Sequence, residues 1–573
     1  MSSTELSPIE AIKRTSRGLR GTLVESLADA HTGALREDDT QLIKFHGSYQ
    51  QDDRDQREER RLRQLEPAYS FMIRTRLPGG IATPSQWLAL TAIARGFGSG
   101  SLRLTTRQAF QVHGVIKRDL KPSIAAMNAA LVDTLAACGD VNRNVMCSSG
   151  DAASSAETRV QALSRELSEA LLPATRAYHQ IWLDRSGLDE GDGQTQVAGD
   201  PVPEPLYGAT YLPRKFKTGI AIPPYNDIDV YSQDLGFVAV IENDQLLGFN
   251  LLVGGGMGST HGRADTFPRL ADEIGFLPPE LLLDVARAVL TVQRDFGNRS
   301  DRALARLKYT IADRSLDWFK AELFSRLDAP LAPPKAVRFL HNGDRFGWRQ
   351  QTNGHWSLGL RIPSGRIVDD DARSSLSGLA AIAAALDGSD ARLVLSPNQN
   401  LRIDGVSDAQ RGRLNTLLSR YRLDAHQHDA PLRLNALACV SLPTCSLAMA
   451  EAERYLPTLL DRVHARLIAQ GLGDQPIHLR ITGCPNGCAR PHLAEIALIG
   501  KAPGRYNLHL GGDRRGQRLA ILHRENIDEA QILDVLDALF GRFAAERDVD
   551  EDFGDFLWRA GLMATTPPAG EAA

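Results

Sequence analysis

Six cysteines are scattered over 573 residues, yet four of them form two close pairs near the C-terminus. "CVSLPTC" (439–445) puts five residues between Cys439 and Cys445, and "CPNGC" (484–488) puts three between Cys484 and Cys488; 38 residues separate the pairs. Four thiolates suit either a zinc ion or an iron–sulfur cluster. Zinc knuckles usually space their ligands by roughly two to four residues. The wider first pair and the long insertion favour a multi-iron cluster over zinc, with inert buried thiols as the third reading. Pro485, Asn486 and Gly487 form a turn that folds Cys484 and Cys488 to one side and offers backbone N–H groups to cluster sulfurs. Cys138 and Cys147 lie in the other half without a close partner and read as small buried residues.

The second chemical signal is positive charge at strand spacing. In "YLPRKFKTGIAI" (211–222), read as a strand, Lys215 and Lys217 share one face and Arg214 points the other way. Like charges side by side are costly unless an anion neutralises them. Arg74 and Arg76 repeat the spacing in "MIRTRLPGG", Arg103 and Arg107 flank a turn in "RLTTRQ", and Arg143, Arg306 and Lys308 sit in other apolar contexts. Arginine forks suit carboxylates, and lysines offer compact charge to small oxyanions. "GGGMGSTHG" (254–262) has the composition of an anion cradle but neither GxGxxG nor P-loop spacing.

These residues need elements to hold them. The length suggests three or four domains at about 150 residues each. With 43% hydrophobic and 24% charged residues the chain has ample core material, and its net charge of −4 gives no general case for nucleic-acid or membrane binding. The N-terminus lacks an apolar signal region and no run is long enough to span a membrane, so a cytoplasmic, reducing setting is expected. Helices are predicted over 122–137 and 278–294, each beginning at proline, with a connection at 329–337. The mixed-charge run 50–67 reads as a solvated helix face or extended arm.

Four stretches of the first half reappear in order in the second. "FMIRTRLPGGI" (71–81) resembles "LGLRIPSGRI" (358–367), and "LRLTTRQAF" (102–110) resembles "LVLSPNQNL" (393–401). "GFNLLVGGG" (248–256) resembles "RYNLHLGGD" (505–513), and "KFKTGIAIPPYND" loosely resembles "IHLRITGCPNGCA". Four matches in register argue for an internal duplication and a pseudo-two-fold α+β molecule with a ligand-sized seam.

Together, "KFHGSYQQDDRDQREER", "FMIRTRLPGGIATPSQW", "SLRLTTRQAFQVHG", "VNRNVMCSS", "TYLPRKFKT", "CVSLPTCSLAMAEAERYLP", "TGCPNGCARP" and "GKAPGRYNLHLGG" resemble the siroheme-containing sulfite and nitrite reductases, nearest to the hemoprotein subunits of the NADPH-dependent assimilatory type. The resemblance spans about residues 40–560. It implies three domains around a central siroheme coupled to a 4Fe–4S cluster. An N-terminal arm (1–70) would be available for partner docking. Residues 71–136 and 350–424 would form a ferredoxin-like repeat domain, 137–349 a first siroheme-binding domain, and 425–573 a second one with the cluster. Cys439, Cys445, Cys484 and Cys488 match the cluster ligands, with Cys488 shared with the siroheme iron. Arg74, Arg143, Lys215 and Lys217 match substrate-binding cations. Arg103, Arg107, Arg214 and Lys308 match contacts to siroheme carboxylates, with Gln111 and Asn486 nearby. The implied reaction is six-electron reduction of sulfite to sulfide for cysteine biosynthesis. Electrons would come from a separate flavoprotein (alpha) subunit carrying FAD and FMN and using NADPH, since this chain shows no flavin or NADPH motif. Rival readings are a ferredoxin-dependent sulfite or nitrite reductase and, from another class, a zinc-stabilised binding module without catalysis.

Overall fold

The computed structural model describes residues 5–150, 154–174, 181–184, 194–198, 204–371, 374–424 and 428–563. Among the described residues, four five-stranded sheets, two centred in each half, carry the fold, with a further two-stranded ribbon of Ile181–Asp184 and Gln194–Ala198. In spatial order the first contains Ser48–Asp52, Tyr69–Arg74, Phe110–Val115, Ser101–Leu104 and Arg366–Val368. Its counterpart contains Gly347–Gln350, Trp356–Leu360, Leu401–Val406, Arg392–Leu395 and Ile81–Ala82. The last strand of each sheet therefore comes from the other half. Both halves contribute to the apolar core beneath these sheets, where helices Pro84–Gly96 and Ser375–Leu386 pack together. Thr83 and Gln86 form a capping box at the start of the first of these helices, with Pro84 in its first turn.

The other two sheets follow one plan. Each combines short parallel strands with an antiparallel run: Met146–Cys147, Thr218–Ala221, Leu235–Glu242, Gln245–Val253 and Asp272–Leu277 in one, Leu437–Ala438, Leu479–Thr482, Ile496–Ala502, Arg505–Leu510 and Ile521–Ile527 in the other. Thr218 pairs with Leu235 as Leu479 pairs with Ile496. Counting on from these pairs fixes the register of the loosest sequence match. Pro223 stands where Cys484 stands, Asp227 where Cys488 stands, and Asp229 where Arg490 stands. The backbone agrees, with φ of 49° at Asp229 and 51° at Arg490, and φ of 51° at Gln108 and 68° at Gln399.

Asp229 and Arg490 meet at the pseudo-two-fold axis. Arg490 Nε donates to Asp229 Oδ2 at 2.5 Å, and Arg480 Nη1 donates to the same oxygen at 2.6 Å. Arg490 also donates to the carbonyls of Thr106 (2.9 Å) and Pro397 (3.1 Å), equivalent turn residues of the two halves. The fold is thus an internally duplicated α+β architecture, tied at its axis by one buried ion cluster.

Three local expectations differ. The helix expected from Pro122 runs Lys117–Ala129, with Pro122 inside its second turn, where the ring forfeits one backbone hydrogen bond to the preceding turn. The strand expected over 211–222 is confined to Thr218–Ala221. Residues 1–70 are not a free arm. Ser48–Asp52 is a paired strand of the first sheet, and only the following short helix, Arg57–Leu62, matches the solvated reading. No described helix is long and apolar enough to cross a membrane.

Candidate active site

Strand register assembles the first wall of the site. Arg74 pairs with Gln111, Gln111 with Arg103, and Arg103 with Arg366, so four adjacent strands present a lateral row of polar side chains. Gly47 lets this wall close: its φ is +85°, and a Cβ there would collide with the carbonyls of Thr134 and Arg74. The opposite wall carries the cysteine loops. Between them lies a cavity of about 1470 Å³, including its open mouth.

All four cysteines of the two pairs line this cavity, together with Arg74, Arg103, Gln111, Arg143, Arg214, Lys215 and Asn486. Among the described residues, Lys44 and Arg302 bring its cations to seven, against one acid, Asp140. A chain of net charge −4 has concentrated positive charge here, as an anionic ligand requires. Arg302 forks onto Asp140 at 2.8 and 2.9 Å, and Arg103 shares Glu453 with Arg366. Burial pushes the Glu453 carboxyl up, but these two guanidiniums outweigh it and hold it below the usual range. Arg143 contacts the Gly139 carbonyl and the Tyr49 hydroxyl, and Arg74 reaches Cys138 Sγ at 3.2 Å. Among the described residues the side chains of Arg214 and Lys215 make no hydrogen bond or ion pair. Burial, then the neighbouring Arg214 and Arg143, push Lys215 down to about 7, and burial with Arg302 pushes Arg214 down to about 10.

The cysteines are all free. The Gly483 N–H donates to Cys439 Sγ at 3.3 Å, and Asn486 Nδ2 approaches Cys484 Sγ at 3.8 Å. Burial and the proximity of Cys488 push the thiols of Cys439, Cys445 and Cys484 up, Cys484 to about 12. Such a set ionises only against a strong cationic centre. Among the described residues no three His, Cys, Asp or Glu side chains converge closely enough for one metal ion. The sequence spacing, five and three residues within the pairs and 38 between them, suits a multi-iron cluster better than a zinc knuckle.

Other polar atoms await a ligand. Arg74 Nε, Gln111 Oε1 and both ring nitrogens of His113 are buried without a hydrogen-bond partner. Each such atom costs about 1–3 kcal/mol if left unmet. A large macrocycle bearing carboxylates fits the Arg74 and His113 donors and the cation excess.

Several expected positions differ. Arg214 lines the same cavity as Lys215 rather than facing away, because this segment is irregular after Pro213 and the strand begins only at Thr218. Lys217 lies behind the lining, where burial, then Arg306 and Lys215, drive it well below its ordinary range. Arg107 turns inward to Gln233 Oε1 and the carbonyls of Asn144 and Thr218. Lys308 donates to the carbonyls of Gly256, Gly258 and Phe267 and so secures the glycine-rich loop. That loop is no anion cradle, since the N–H groups of Gly254, Gly255, Gly256 and Ser259 all donate to protein carbonyls. It packs instead on the second cysteine turn, where the Ser259 N–H bonds the Pro485 carbonyl at 2.9 Å. Sequence reasoning missed Lys44, Tyr49, His113, Asp140 and Arg302. Lys44, Tyr49 and His113 fall within motif stretches quoted above, whereas Arg302 follows a loop with no distinguishing pattern.

The pseudo-two-fold axis relates this cavity to a smaller one of about 660 Å³, lined by Pro223, Tyr225, Asp227, Asp344 and Arg402 among others. Pro223 and Asp227 there replace Cys484 and Cys488, so the duplicated scaffold has kept the thiol chemistry on one side only.

A family model described as the nitrite/sulfite reductase ferredoxin-like half domain matches residues 63–130 and 349–421, and one described as the nitrite and sulphite reductase 4Fe-4S domain matches 164–331. The chain belongs to the nitrite and sulfite reductase family. It is 58% identical over 556 residues to the sulfite reductase (NADPH) hemoprotein beta-component of Myxococcus xanthus strain DK1622, covering 97% of each chain. It is 56% identical over 562 residues to the protein of that name from Xanthomonas campestris pv. campestris strain B100, covering 98% of this chain and 97% of the relative. Among solved structures, the Mycobacterium tuberculosis NirA protein shares the fold, with a TM-score of 0.78 and 24% identity over 97% of this chain and 96% of that one. The matched segments 63–130 and 349–421 contain the strands exchanged between halves, which explains why this family unit is discontinuous in sequence.

Proposed function

We propose that this chain reduces sulfite to sulfide by six electrons, in the cytoplasm, at a siroheme coupled to a 4Fe–4S cluster. A separate flavoprotein subunit carrying FAD and FMN takes the electrons from NADPH and passes them to it. The carrying observation is the convergence, among the described residues, of four free cysteines, seven cations and a single acid on one cavity.

Cys439, Cys445, Cys484 and Cys488 would hold the cluster, and Cys488 would also serve the siroheme iron. Arg103, Arg214, Gln111 and Asn486, which line the same cavity, would hold the siroheme. Arg74, Arg143 and Lys215 draw in and orient the oxyanion, with Lys217 behind them as a further amine of the substrate end. When bound, the coupled cofactors supply the electron chemistry. The chain's own residues supply protons. Lys215, held near pH 7, can release one at neutral pH, and Tyr49 beside Arg143 closes that end of the site. The domain division at 1–70, 71–136 with 350–424, 137–349 and 425–573 is part of the proposal, with residues 48–52 reassigned to the first sheet.

The test is turnover of sulfite and nitrite by the cofactor-loaded protein with an artificial low-potential reductant. Higher kcat/KM for sulfite supports the reading. A clear preference for nitrite would move the chain to nitrite reduction with the same cofactors. Lys217→Asn is expected to weaken sulfite reduction more than nitrite reduction.

A further inference from the structure

The mixed-charge run after the first strand does something its composition does not announce. As the chain leaves Ser48–Asp52, Arg54 crosses to the first cysteine loop. Its backbone N–H donates to the Pro443 carbonyl at 3.2 Å. Its Nη1 donates to the carbonyls of Ala448 at 2.6 Å and Cys445 at 3.3 Å. Three carbonyls of one loop thus accept from one residue almost 400 positions earlier in the chain. The neighbouring Asp55 is held by Arg454 at 2.6 Å, just beyond the same loop. The loop needs this restraint, because Ser446 and Leu447 are exposed, Leu447 by 62%.

We propose that Arg54 is a strap and an electrostatic tuning residue for the cluster held by Cys445. This rests on the cluster reading above. The guanidinium fixes Cys445 by its carbonyl and brings a permanent positive charge to the cluster's outer side. Partners beyond the ligands themselves set both ligand orientation and metal retention. A nearby positive charge favours the reduced, more negative cluster and so raises its potential. Arg54 is not among the residues that line the cavity; it acts through Cys445. The rigid planar group matters, because one nitrogen, Nη1, serves both carbonyls from a fixed position, whereas an ammonium is a compact, rotating point charge on a more flexible stem.

The experiment compares wild-type, Arg54→Gln and Arg54→Lys holoenzymes. Three quantities are read: iron and acid-labile sulfide content, the rate of iron release to a chelator, and the cluster's midpoint potential by spectroelectrochemical titration. In Arg54→Gln, iron release is expected to quicken roughly tenfold, and the midpoint potential to become more negative. Arg54→Lys keeps the charge and is expected to hold the wild-type potential while still releasing iron faster. This second variant also decides the strap if the glutamine variant does not accumulate, since wild-type release in Arg54→Lys would then overturn it. A wild-type protein without acid-labile sulfide would sink the cluster reading itself. A normally loaded wild type whose Arg54→Gln variant matches it in release and potential would sink the strap alone. Faster release with an unmoved potential would overturn the electrostatic role.

Discussion

Asp229→Asn is the most demanding test of how the two halves are joined. The side chain is fully buried, as nearly are Arg480 (1% exposed) and Arg490 (5%). Its carboxylate accepts from both guanidiniums at 2.6 and 2.5 Å and from Asn342 Nδ2 at 2.7 Å. Asparagine keeps the shape but removes the charge, and its amide N–H₂ faces donors on every side. Two arginines are then left buried without a counter-charge. Breaking a buried pair in this way costs about 3–5 kcal/mol. For a cooperative unit of ordinary domain size this lowers the melting midpoint by roughly 6–20 °C. Calorimetry of the holoprotein, with urea unfolding followed by tryptophan fluorescence, reads the loss. Adding Arg490→Gln removes one of the stranded charges, so the double variant should lose less than the two single losses combined, by about 0.5–3 kcal/mol. A loss under about 1 kcal/mol in Asp229→Asn, the range of an exposed pair, would refute the claim that this cluster is a dry clasp. Strict additivity would refute the claim that Asp229 and Arg490 act as a unit.

Other outcomes follow from the same geometry. Lys215 is pushed from 10.5 down to about 7, so it is charged below pH 7 and neutral above it. Affinity for nitrite, which stays a monoanion over the range, should therefore weaken as pH rises through about 7, and Lys215→Arg should flatten the profile in an optical binding titration. Cys484→Ser should abolish cluster loading and turnover together, read by iron and sulfide analysis and by activity with an artificial donor. Glu453→Gln leaves Arg103 and Arg366 sharing no acid; because that acid is 14% exposed, the cost is expected at about 1–3 kcal/mol, measured by the same unfolding assays.

The cysteine spacing and the repeated stretches were readable because each lives in a short local window. Gln108 and Gln399 could be matched by sequence, and the backbone gives both a positive φ. The row Arg74–Gln111–Arg103 was only half visible: strand alternation suggests which residues share a face, but only pairing register shows which lie side by side. Lys308 and Arg107 had the right residue type in the right neighbourhood, and their direction was set by nearby carbonyls that no sequence pattern marks. Lys44, Asp140 and Arg302 reach the cavity from loops and short turns, where periodicity carries no information. The charged run 50–67 misled for a related reason. Its composition is that of a solvated segment, and one residue in it, Arg54, has its partners almost 400 positions away.

The exchange of end strands between the two halves also sets a timetable. Ile81–Ala82 has its partner in Arg392–Leu395, made about 300 residues later, which at ribosomal speed is a wait of roughly 15–60 s. Throughout that interval the emerging first half carries a strand with no sheet to join and a core lacking half its side chains. Unpaired edges of this kind invite association with other chains. The protein must therefore be most vulnerable while it is being made, and a cell that slows translation across the middle of this message should recover less of it, however stable the finished molecule is.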